Sequence, residues 1–162
     1  MSLKSQSTLL GLVFIIFSLG CSNSPDLPTP GKIGAKDRVR LISGNQAARV
    51  INKMHRSSVS GDANIIAEYG KDKKDLLYIT YYADQKNAQE AFDLMVEKMA
   101  AAKNSPFFHL KPLEKYHNKA YLTLGMGAVH YIYVSGTYLL WLQTYQSFGD
   151  QLPADLLELY PI

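Results

Sequence analysis

The chain is nearly without cysteine and tryptophan. Among 162 residues there is one of each, Cys21 and Trp141. A single thiol excludes an intramolecular disulfide, the usual reinforcement of small exported domains. Strong charge is missing too. Seventeen Lys and Arg stand against 14 Asp and Glu, a net of +3, too weak an excess to argue for a nucleic-acid partner. Lys71-Asp72-Lys73-Lys74-Asp75 mixes both signs and reads as a solvated turn. The apolar run Leu9–Leu19 covers eleven residues, well short of the ~20 that cross a bilayer as a helix.

Catalytic signatures are absent as well. There is no Gly-x-Ser-x-Gly elbow. His55, His109, His117 and His130 are scattered, and no pair has the i, i+4 spacing of a helical zinc site. Asp84 and Asp150 precede helical segments and read as caps. Gly125-Met126-Gly127-Ala128-Val129-His130 has the outline of a dinucleotide loop. That loop must open a helix and needs a small third residue, whereas His130 occupies the third place and begins a strand-forming run. The spacing predicts a hairpin turn. Met126 and His130 could then meet across it as a Met/His haem pair. No Cys-x-x-Cys-His attachment motif accompanies them, and a core methionine with a hydrogen-bonded strand histidine is the simpler expectation.

What is present begins at the amino end. Lys4, the apolar run Leu9–Leu19 and the polar stop Ser22-Asn23-Ser24-Pro25-Asp26 have the layout of a signal peptide. Phe17-Ser18-Leu19-Gly20-Cys21 resembles the lipobox of bacterial lipoproteins, with small Gly20 before the cysteine. The resemblance implies cleavage between Gly20 and Cys21. It also implies diacylglycerol on the Cys21 sulfur and an N-acyl chain on its new amino group. One acyl chain binds membranes marginally and several bind stably. Ser22, rather than Asp, after the cysteine implies delivery to the outer membrane, facing the periplasm. Residues 1–20 are thus expected to be removed and residues 21–36 to form a lipid-anchored flexible tether. Pro25, Pro28 and Pro30 favour an extended spacer there. Residues 37–162 are expected to form one globular domain.

That domain reads as α+β. Ala47, Val50, Ile51 and Met54 give one apolar helical face, and Ser43 with Gln46 resembles a capping box. Ile65–Tyr69 and Leu76–Tyr82 read as strands, the second central. Ala88, Ala91, Phe92, Met95, Met99 and Ala102 mark a long helix behind Asp84. Phe107–Leu113 reads as an edge strand, because Pro112 lacks a ladder donor. Ala120–Met126, Val129–Val134 and Tyr138–Tyr145 form a meander, and a short helix follows Pro153. The expectation is a mainly antiparallel sheet of about six strands backed by helices, in the order α-β-β-α-β-β-β-β-α.

Eleven tyrosines are the one compositional excess. Strand alternation puts Tyr131 and Tyr133 on one face, and with Tyr138 and Trp141 they form a candidate recognition surface, since exposed Tyr and Trp give large contact area. The sequence therefore points to a membrane-anchored, non-catalytic binding or scaffolding module that contacts envelope proteins. The alternative is a carrier of a small apolar ligand, such as haem, between sheet and helices.

Overall fold

In the computed structural model the described residues are 27–55 and 60–162. Gly20 and Cys21, the expected cleavage and lipidation positions, lie outside them. The strands are β1 (Lys32–Ile33), β2 (Lys36–Ser43), β3 (Ala63–Tyr69), β4 (Asp75–Tyr81), β5 (Phe107–Pro112), β6 (Ala120–Gly125), β7 (Ala128–Ser135) and β8 (Tyr138–Thr144). The helices are α1 (Gly44–His55), α2 (Gln85–Ala101) and α3 (Ala154–Leu159), with a 3-10 turn at Glu114–Tyr116. All strands form one curled antiparallel sheet in the order β1-β2-β3-β4-β8-β7-β6-β5.

The α+β class and the antiparallel sheet are as expected. The strand count is eight instead of about six, because β1 and β2 precede α1. Their signal was faint. β1 has two residues, and β2 carries Lys36, Asp37, Arg38 and Arg40 around Val39 and Leu41. β4 is central and β5 lies at an edge, as their compositions predict.

Each sheet face is covered differently. On the helix face, Ala47 and Ile51 of α1 pack on Ile42, Ile66 and Tyr78. Ala88 and Phe92 of α2 pack on Ile132, Val134, Leu139 and Trp141. The Asp84 carboxylate accepts the Asn87 amide hydrogen at 2.9 Å and starts α2, a cap generally worth about 1 kcal/mol. The inner face is filled by three pieces of chain: Leu27 and Ile33, then Leu113 and Tyr116, then Leu152, Leu156 and Tyr160.

The first piece corrects the expected tether. Leu27–Lys36 is part of the domain. Leu27 and Ile33 are buried in the core, and Ile33 pairs with Lys36. The Pro28 carbonyl accepts from the Tyr160 hydroxyl at 2.6 Å, and the Pro30 carbonyl accepts from Tyr69 at 3.0 Å. Pro30 is buried and Pro28 exposed; a buried proline brings no N–H that would need a partner, and the Pro30 carbonyl is satisfied by Tyr69.

Candidate functional site

The inner face is not filled to its end. Phe108, Leu124, Val129 and Thr144 pair in one cross-strand row over β5, β6, β7 and β8. Among the described residues no plugging segment covers the Phe108 end of this row, and with Tyr145 the row lines a groove of about 330 Å³. That is the lower end of the range for small-ligand sites. The walls are apolar, and Phe108 and Tyr145 remain 56% and 43% exposed.

Among the described residues five non-glycine residues have positive φ, Lys73, His109, His117, Asn118 and Met126, and two of them, His109 and Met126, adjoin residues that line the groove. His109 (φ 54°) sits in the irregularity between Phe108 and Lys111, where the β5–β6 register shifts. Bulges of this kind re-aim side chains beside functional sites. Met126 (φ 52°) and Gly127 (φ 74°) make the two-residue turn between β6 and β7. Such turns want Asn-Gly. Here a methionine accepts a left-handed backbone and leaves its side chain 68% exposed. Gly125 and Gly127, on either side of it, line the groove. Neither strain nor exposure helps folding, and together they make the place a candidate site.

Beside the groove lies a polar knot. The Asp75 carboxylate is fully buried. It accepts from Lys36 Nζ (2.7 Å), Thr144 Oγ1 (2.7 Å), Gln146 Nε2 (2.7 Å) and the Tyr145 amide (3.0 Å). Lys36 also donates to the Lys73 carbonyl at 2.6 Å, and its ammonium lies 5.5 Å from the Tyr145 ring centre. A carboxylate with four donors is a structural tie. It fixes Thr144 and Tyr145, and through them one wall of the groove.

The sequence-derived site residues are dispersed. Tyr131 and Tyr133 do share a face, but it is the inner one, and they are 1% and 0% exposed. They are core, not a recognition surface. The tyrosine-rich strand is covered because Leu152, Leu156 and Tyr160 return onto it. Tyr138 is half-buried on the same face, with its ring centre 5.0 Å from that of Tyr160. Trp141 pairs with Ile132 and faces the helices. The four do not form one patch. Burial drives the Tyr133 hydroxyl well above the ordinary tyrosine range, and among the described residues that hydroxyl has no hydrogen-bond partner.

Met126 and His130 do not meet. His130 is 1% exposed, accepts at Nδ1 from Trp141 Nε1–H (2.9 Å) and holds the Gly125 carbonyl at Nε2 (3.0 Å). Both ring nitrogens are occupied, which leaves none to ligate haem, and Met126 is a surface residue. Gly125 permits this geometry, because a Cβ there would fall 2.5 Å from the Phe107 ring. Among the described residues no three His, Cys, Asp or Glu side chains are grouped to hold a metal. Asp150, expected as a cap, pairs with Lys111 at 2.6 Å.

Sequence reading missed Phe108, Leu124, Val129 and Tyr145. A signal was available in Phe107-Phe108. Adjacent strand residues point to opposite faces, so only one of the two rings can join the helix-side cluster. Phe107 does, against His130 and Trp141 at 5.0 and 5.2 Å between ring centres. Phe108 therefore faces the other way, at the groove. No known protein family matches this chain, and no curated protein or solved structure matches it.

Proposed function

We propose that this chain is a lipid-anchored, non-catalytic binding module of the bacterial cell envelope, held at the periplasmic side of the outer membrane through Cys21. Its contact surface is the groove between Phe108 and Tyr145. The anchor reading rests on the resemblance of residues 17–21 to a lipobox. The observation that carries the binding reading is the exposed apolar groove beside two strained non-glycine residues, His109 and Met126.

The path of the chain suits this role. Pro28 is bonded to Tyr160, which lies against Tyr138 at the start of β8. The groove is at the other end of β8, at Thr144. Seven residues of strand span about 20 Å. An anchored domain therefore turns its groove away from the point where the chain arrives, toward a partner in the aqueous space.

Two measurements test the two parts. Intact mass of protein from host membranes should show a chain that starts at Cys21 and carries acyl groups. An unacylated mature chain overturns the anchor. A photo-cross-linking residue at Phe108 should give discrete adducts in the host, and one at Leu94, exposed on α2, should not. Equal labelling at both overturns the groove as the contact surface.

A further inference from the structure

The burial of Leu27 shortens the reach of an anchored chain. A tether over residues 21–36, as the sequence predicts, would span about 50 Å when extended. In the structure the chain is already fixed at Leu27, which is 3% exposed, and at Pro28 and Pro30, whose carbonyls accept from Tyr160 and Tyr69. Six residue steps separate Cys21 from Leu27, and they reach at most about 20 Å. A domain of this length is roughly 35 Å across. The longer tether would let any face meet the bilayer. The shorter one keeps the end that carries Pro28 beside it.

That end is built around Tyr160. Its hydroxyl holds Pro28 at 2.6 Å, and its ring lies against Tyr138. The Ser135 hydroxyl donates to the Pro161 carbonyl at 2.6 Å, which ties these residues to the turn between β7 and β8. Tyr160 is buried, whereas Leu159 and Ile162, to either side of it in the chain, are each 39% exposed. Neither belongs to a core cluster of the described residues. Two aliphatic side chains thus stand in water where the chain leaves the domain. Free in solution they would hold a bilayer too weakly, since interfacial binding scales with buried apolar area. An anchored domain meets its own bilayer at high effective concentration, so the same small contact is populated.

We propose that the Tyr160 end of the domain rests on the bilayer that holds Cys21, with Leu159 and Ile162 entering the head-group region. The contact presupposes the Cys21 anchor and adds a fixed orientation to it. The end of α3 and the turn between β7 and β8 lie at the lipid, and the groove points away.

The test uses the chain from host membranes, in vesicles of phosphatidylethanolamine and phosphatidylglycerol that carry a head-group quencher. The lipid consumes the sole native sulfur, so one introduced cysteine takes an environment-sensitive dye. Thr137→Cys places it in the turn between Ser135 and Tyr138. Asp72→Cys places it at the groove end, next to the start of β4. The dye at 137 should be quenched several-fold more than at 72, and its emission should shift to the blue. Leu159→Glu with Ile162→Glu should abolish the shift and most of the difference, while the chain still floats with the vesicles. Both side chains are exposed, and a thermal melt checks that the variant folds. If it does not, the contrast between 137 and 72 in the chain with Leu159 and Ile162 intact decides. An acylated chain with equal signals at the two positions overturns the contact and leaves the anchor standing. So does a folded double variant that keeps the shift. A chain without acyl groups overturns both.

Discussion

The indole Nε1–H of Trp141 donates to Nδ1 of His130 at 2.9 Å, and this bond sets the state of the histidine. A nitrogen that accepts cannot carry a proton, so the hydrogen sits on Nε2 and donates to the Gly125 carbonyl, 3.0 Å away. Neutral imidazole fits both partners. Imidazolium would place a second N–H against the indole donor.

Stability should therefore fall on the acid side. Burial lowers the His130 pKa from its ordinary 6.5, and the Gly125 bond offsets this only in part. The unfolded chain then binds a proton that the folded chain resists. The contribution of neutral His130 is fully present above about pH 6.5 and is lost as pH falls below it. Urea unfolding across pH 5 to 8 should show this slope, and His130→Gln should flatten it. An unchanged slope in the variant would assign the acid sensitivity to other groups.

Asp75 should be the most sensitive polar position. Asp75→Ala leaves Lys36, Thr144 and Gln146 facing an empty buried site. Removing one partner of a buried pair generally costs about 3–5 kcal/mol. Chemical denaturation should show a loss of that order, and Asp75→Asn should recover only part of it. A loss under about 1 kcal/mol would mean that water replaces the carboxylate readily.

Tyr133 should behave in the opposite way. Its buried hydroxyl has no partner among the described residues, and an unsatisfied buried polar group costs about 1–3 kcal/mol. Tyr133→Phe keeps the ring and removes the penalty. The variant should be as stable as the parent or more stable by about 1 kcal/mol. A clear loss of stability would reveal an internal water bonded to the hydroxyl.

Much of the fold was legible because its elements carry local signals. Ala88 and Phe92 set the face of α2, Asp84 its start, and Pro112 the edge position of β5. What stayed hidden depends on contacts between distant segments. Nothing near Leu27 or Ile33 announces that they enter a core with Tyr160, some 130 residues on. The same return of the chain over β7 buried Tyr131 and Tyr133, which alternation alone left free to face water. The groove was invisible for a related reason. It is the part of the inner face that no returning segment among the described residues covers, and coverage is a property of the whole fold.

Met126 gives the sharpest separation of stability from function. It occupies a left-handed position that asparagine and glycine take easily, and it is 68% exposed. Met126→Asn relieves a backbone penalty of roughly 1 kcal/mol and removes an apolar side chain from water. The variant should melt higher than the parent by a few degrees. If Met126 serves the groove, as a flexible and polarisable contact, the same change should weaken cross-linking from position 108 in the host. Higher stability with weaker contact would be the signature of a residue kept for binding. Higher stability with undiminished contact would confine the binding surface to Phe108 and Tyr145, and would leave the strain at Met126 without a role in recognition.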